Sequence, residues 1–117
     1  DPQELRGVAA SPGVVEGPAR VVLSTDQIDE VRDGEILVCT ATAPAWAPVF
    51  GKVRATVSDV GGMMSHAAIL CREYGIPAVL GTGAGTRRIQ TGDQIRVDGD
   101  RGTVRLLHAS ASNAVTP

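Results

Sequence analysis

The chain has 117 residues, 43% of them apolar, and a net charge of −2 at pH 7, which suits one compact domain of ordinary globular composition. Its Lys and Arg are dispersed, which excludes the basic footprint of a nucleic-acid binder. No apolar run approaches the roughly 20 residues that cross a bilayer, so a membrane span is excluded too. No stretch reads as a secretory signal. The chain opens on Asp1 rather than Met and is expected to have been cut from something longer.

Only Trp46, Phe50 and Tyr74 are aromatic, so Val, Ile, Leu and Ala must build the core. Cys39 and Cys71 stand far apart in apolar surroundings. They are too few for a disulfide framework, and with two lone histidines too scattered for a zinc site; no metal site is expected. Both are read as small core residues in a reduced, cytoplasmic setting.

In chain order, Arg6 to Gly13 is a short apolar stretch closed by a turn, and Val14 to Leu23 is rich in Val with Gly17-Pro18 inside it. These read as two early strands, the Gly-Pro marking a bulge or a sheet edge. Ser24 to Arg32 is either a short helix or a long loop. Glu35 to Cys39 has the pattern of a buried strand. Thr42 reads as the N-cap of a short helix with Pro44 in its first turn, a helix weakened by Pro48. Val53 to Ser58 alternates and is β-branched, so it reads as a strand. Gly61-Gly62 then breaks the chain. A helix follows from Ser65 to Tyr74, with Gly75 just past its end and Pro77 forbidding continuation.

Ala78 to Leu80 is a short buried strand, and Thr86 to Gln90 supplies one or two helical turns. Gln94–Val97 and Thr103–Leu107 flank Asp98-Gly-Asp-Arg-Gly102 as a hairpin. The domain is therefore expected over residues 1–107, as α/β with more sheet than helix. A disordered tail is expected over 108–117, with His108 a bystander. Gly81-Thr-Gly-Ala-Gly85 lacks the Lys-Ser/Thr of a phosphate loop and the spacing of a dinucleotide fingerprint. Asp59, Asp98 and Asp100 are explained as a strand end and a hairpin turn.

The chemistry concentrates at His66, in the first turn of a helix just after a glycine pair. First-turn amides point out of the helix end, and the macrodipole adds positive potential there. Gly61 and Gly62 can aim further amides at an anion, so a phosphate beside His66 would be cradled without a lysine. A β-carbon at Gly62 is expected to crowd that anion or strain the backbone. A neutral imidazole with one nitrogen exposed can attack phosphorus and form a phosphoramidate. The bland alternative is a surface histidine or a local cap.

The run from Gly61 to Val79, with Met63-Met64-Ser65-His66-Ala67-Ala68 at its head, resembles the signature of phosphoenolpyruvate-utilising enzymes. Phosphoenolpyruvate synthase, pyruvate phosphate dikinase, enzyme I of the sugar phosphotransferase system and rifampicin phosphotransferase belong to that family. The resemblance extends to Gly7–Gly13, Gly17–Val21 and the closing hairpin, roughly residues 7 to 107. It implies a swivelling β/β/α phosphohistidine domain in which His66 is the catalytic, phosphorylated residue. Gly61, Gly62, Ser65 and the signature's arginine, Arg72, are the candidate phosphate-binding residues. Arg72 lies six residues past His66, off its helix face, so a partner domain or an acid is an open alternative for it.

The resemblance also implies that ATP or phosphoenolpyruvate, with Mg, sits on partner domains. These would be a nucleotide-binding and a substrate-binding domain, on the same or another chain, and the domain alone would not turn over. Met64 departs from the family, which often has Thr there, and Cys71 replaces the usual small Ala, Ser or Thr. The competing expectation is a non-catalytic binding or regulatory module on the same fold.

Overall fold

Every residue of Ile36–Cys39 is buried, a pattern that a strand shows only when both faces of its sheet are covered. The computed structural model describes residues 3–109. Its strands are β1 (Glu4–Arg6), β2 (Val8–Ser11), β3 (Val14–Val22), β4 (Ile36–Cys39), β5 (Ala55–Ser58), β6 (Ala78–Leu80), β7 (Gln94–Asp98) and β8 (Thr103–His108). The helices are α1 (His66–Tyr74) and the single turn α2 (Gly85–Arg88), with 3-10 helices over Thr25–Glu30 and Pro44–Gly51. This is the mixed α/β, strand-rich architecture expected.

The sheet order is β1-β8-β7-β3-β4-β5-β6-β2. Strands β3 to β6 are parallel and the rest pair antiparallel. Consecutive strands β1 and β2 stand at opposite ends of this order with Gly7 alone between them. Two Cα steps span about 7.6 Å at most, so the two edges must meet and the sheet is rolled. Gly7 lies at the seam. Its amide donates to the Gly102 carbonyl at 2.8 Å, and a β-carbon on it would fall 2.4 Å from the Leu80 carbonyl oxygen.

The roll encloses one core and leaves two outer ones. Ile36 and Val38, Ala55 and Val57, Val79, Ile95 and Val97 point inward together. The alternate residues of the same strands point outward. Leu37 and Cys39 pack under the 3-10 segments with Trp46 and Val49. Ala78 and Leu80 pack under α1 with Ala67, Ala68 and Cys71.

Three local readings change. Three strands, not two, precede residue 23, because β1 is too short to show a pattern of its own. Gly17-Pro18 sits inside the sheet rather than at an edge or bulge. There β3 passes from antiparallel pairing with β7 (Val14–Pro18) to parallel pairing with β4 (Ala19–Val22). The Ala19 amide donates to Asp93 on the β7 side, so the N–H that Pro18 lacks would face the side where the parallel ladder has not begun.

Thr42 is not a cap. Ala43 occupies that position, no side chain caps the turn, and Trp46 donates to the Ala43 carbonyl in a 3-10 bond that Pro48 permits. The polar stretch after Ser24 is a 3-10 helix. Strand β8 includes His108, and residues 110–117 of the expected tail lie outside the described residues.

A two-pronged bond pins β3 to the start of β4. Arg20 donates from Nε and Nη2 to the two Glu35 carboxylate oxygens at 3.0 and 2.9 Å, and the Arg32 amide adds a bond of 2.8 Å. The two side chains are only 19% and 13% exposed. Burial alone would raise the Glu35 carboxyl, but these donors outweigh it and hold it below its ordinary value. A lowered carboxyl stabilises the fold above the unfolded value and loses that contribution as pH falls through the folded one. Glu35→Gln is therefore expected to cost about 1–2 kcal/mol at pH 7. Its melting curve should converge on that of the parent as pH drops through the acid range, and thermal melts across pH check this.

Cys39 and Cys71 are buried, as read. Burial pushes the Cys39 thiol up to about 12 and that of Cys71 up to about 11. Both should ignore an aromatic disulfide reagent at pH 8 in the native domain and react fully in guanidinium.

Candidate functional site

The parallel strands β4, β5 and β6 finish on the same side of the sheet, where open α/β sheets place their ligands. Backbone pairing continues past the strand ends. The Asp59 and Val60 amides donate to the Cys39 and Thr40 carbonyls, and those of Thr82 and Gly83 to the Ser58 and Asp59 carbonyls, all at 3.0 Å. The Asp59 carboxylate accepts from the Thr86 amide (3.0 Å) and hydroxyl (2.6 Å), tying the Gly81–Gly85 turn to the end of β5. This makes Asp59 a tether, and among the described residues no three His, Cys, Asp or Glu come together as a metal site.

From this braced edge the chain turns into α1. The positive φ falls on Gly61, at +123°, and not on Gly62. The expected strain at Gly62 is thus misplaced by one residue: a β-carbon on Gly62 meets nothing within 4 Å. Ser65 is the N-cap rather than the first helical residue. Its hydroxyl accepts from the Ala68 amide at 3.3 Å and donates to the Gly62 carbonyl at 2.8 Å. The Ser65 hydrogen is thereby committed to the backbone, and its observed work is to shape the turn. Gly75, left-handed at φ 71°, ends the helix, and Ile76 donates back to the Cys71 carbonyl at 3.0 Å.

His66 is the first residue of α1 and is exposed. With Ala68 capped by Ser65 and Ile69 bonded to the Ser65 carbonyl, the amides of His66 and Ala67 have no acceptor among the described residues. They point out of the helix end beside the imidazole. The arrangement offers a nucleophilic ring and an anion-binding helix terminus at one exposed point.

Arg72 forms no ion pair with an acid among the described residues. Its Nε donates to the Ala10 carbonyl at 3.1 Å and its Nη2 to the Met63 carbonyl. The guanidinium thus clamps the loop before His66 onto β2. A bond to Ala10, distant in sequence, leaves no local signal.

The glycine pair can be tested by stability alone. Gly61→Ala is expected to cost about 1–3 kcal/mol through its positive φ. That lowers the melting temperature by about 4–8 °C per kcal/mol for a domain of this size. Gly62→Ala is expected to leave the melt nearly unchanged, and parallel thermal melts of the two variants check the assignment.

The profile described as PEP-utilising enzyme, mobile domain, matches residues 31–102. Chondramide synthase cmdD of Chondromyces crocatus is 50% identical over 92% of this chain and 3% of its own length. A rifampicin phosphotransferase of Streptomyces sviceus is 48% identical over 88% of this chain and 12% of its own. A probable phosphoenolpyruvate synthase of Pyrococcus abyssi is 46% identical over 86% and 12%. The chain therefore spans a small fraction of these curated relatives.

Among solved structures, an Enzyme I protein superposes with a TM-score of 0.60 at 31% identity, over 68% of this chain and 33% of that one. Thermococcus kodakaraensis aconitase X, at 20% identity, shares the fold alone, with a TM-score of 0.66 over 90% of this chain and 98% of its own. The profile covers well over half of the chain, across the β4–β6 edge, the His66 turn and α1, and the chain belongs to the phosphoenolpyruvate-utilising enzyme family as its mobile domain.

Proposed function

We propose that this domain is a phosphoryl carrier, loaded on His66 by one companion domain and unloaded at another. The observation that carries the reading is the exposed His66 ring beside two first-turn amides that have no acceptor among the described residues. The imidazole lone pair attacks the donor's phosphorus. A phosphorus–nitrogen bond forms as the bond to the donor's leaving oxygen breaks, and the ring's other nitrogen gives up its proton. The His66 and Ala67 amides and the helix terminus then face the phosphoryl oxygens. Reversal of this step onto an acceptor oxygen completes transfer.

ATP or phosphoenolpyruvate, with Mg, belongs in this reading to companion domains, in keeping with the small share of each phosphotransferase relative that the chain spans. Gly62 lies open at the site and leaves room for the anion. Arg72 acts by holding the Met63 carbonyl rather than by reaching the phosphate. A reduced cytoplasmic setting fits two buried free thiols, and no described helix is long and apolar enough to cross a membrane. The fold does not by itself demand this chemistry, since aconitase X shares it. A non-catalytic module would leave His66 unmodified.

The enzyme carrying this domain should take up acid-labile, alkali-stable 32P from labelled ATP or phosphoenolpyruvate, and His66→Ala should take up none. Full labelling of that variant would remove His66 from the reaction.

A further inference from the structure

The two 3-10 helices cover Leu37 and Cys39 on the outer face of the sheet, and a cleft of about 400 Å³ opens between them. That volume falls within the roughly 300–1,000 Å³ of small-molecule sites. Ile28 and Asp29 stand on one wall and Trp46, Pro48 and Val49 on the other, with Lys52 just past the end of the second helix. None of these residues belongs to the His66 site.

The cleft is graded from floor to mouth. Trp46 and Val49, 5% and 8% exposed, belong to the outer core, and Ile28 packs against it half-buried. Asp29 and Lys52 are exposed, so opposite charges stand at the mouth above an apolar floor. Neither charged side chain makes an ion pair or a hydrogen bond among the described residues, with the other or elsewhere. One polar group lies deeper: the Trp46 Nε1–H is buried and has no acceptor among the described residues. A buried donor is costly to leave unmatched, and each such group in a folded protein calls for an explanation.

We propose that this cleft binds an α-amino acid with a large apolar side chain. The ligand's side chain lies on Trp46, Val49 and Ile28. Its ammonium group faces Asp29, and its carboxylate faces Lys52 and accepts from the Trp46 Nε1–H.

The class of ligand follows from the gradient. Opposite charges at the mouth match a molecule with both charges at one end, and the floor matches an apolar other end. A fatty acid or an alkyl amine would leave one mouth charge without its counterpart. A segment inside a polypeptide carries neither a free ammonium nor a free carboxylate at its Cα. The site is independent of the carrier chemistry, because it shares no residue with it.

The test is calorimetric titration of the enzyme that carries this domain with L-leucine and L-phenylalanine. Isocaproate keeps the apolar body and carboxylate of leucine without the ammonium group, and isoamylamine keeps the body and ammonium group without the carboxylate. The variants are Asp29→Asn, Lys52→Gln and Trp46→Phe, with His66→Ala as the control. Asp29 and Lys52 are exposed and unbonded, so their variants should melt as the parent does.

Saturable binding of at least one of the amino acids is expected, with a Kd of about 1 mM or below. Asp29→Asn and Lys52→Gln should each weaken it about fivefold or more, as should removal of either charge from the ligand. The losses should match in pairs: Asp29→Asn should leave isocaproate binding unchanged, and Lys52→Gln that of isoamylamine. Trp46→Phe keeps an aromatic floor but removes the N–H, and should weaken the amino acid about threefold or more while sparing isoamylamine. His66→Ala should bind as the parent does.

No saturable binding of either amino acid up to about 10 mM would overturn the proposal. Binding that Asp29→Asn and Lys52→Gln leave unchanged would place the ligand elsewhere in the enzyme and overturn it too. So would equal affinity for leucine and its two singly charged analogues. Lowered melting temperatures in both mouth variants, without amino-acid binding, would assign the cleft to another segment of the enzyme.

Discussion

The closure at Gly7 is the constraint on which the rest of the structure depends. One residue joins strands from opposite ends of an eight-stranded order, so the sheet has no choice but to roll. Rolling gives a small domain with few aromatic residues an enclosed core of Val, Ile, Ala and Leu side chains. It also sends every second residue of β4 and β6 outward, where 3-10 turns and one helix must cover them. The single long helix is therefore placed by the outer face of the sheet. Its start is carried to the edge where the parallel strands end.

At that edge the site is assembled from backbone more than from side chains. Strand-like pairing persists beyond Cys39, Ser58 and Leu80, and Asp59 ties the neighbouring turn in place. Gly61 supplies a positive-φ turn before α1, Ser65 caps the helix, and Arg72 donates to the Met63 carbonyl. Each of these contacts is made by something other than the His66 ring. The result is that His66 stands out from a fixed helix end with amides beside it. An anion held by amides and a helix terminus needs no cation on the carrier, so positive side chains can belong to whichever domain the carrier visits. That division suits a group that must be both accepted and given up.

Much of this was legible in the sequence, for reasons of period and punctuation. The run Glu35–Cys39 announced a buried strand, which the fold starts one residue later at Ile36, and the stretch from Gly61 to Pro77 announced a turn, a helix and its end with boundaries good to one residue. The placement of His66 at a helix start was legible too, because a helix start and a glycine pair are local facts. What the sequence could not decide were matters of distance. Which of two adjacent glycines takes the positive φ depends on how β5 is braced against β4 and β6, and that brace joins residues far apart in the chain. Arg72 reads as a candidate phosphate ligand, and its bond to the Ala10 carbonyl, distant in sequence, is visible only in the fold. Gly17-Pro18 reads as an edge until the sheet shows where β3 changes partners. Local pattern fixes what each segment prefers to be, and only the closed sheet decides which segments meet, because its ladder bonds and inner core form between residues that the sequence holds apart.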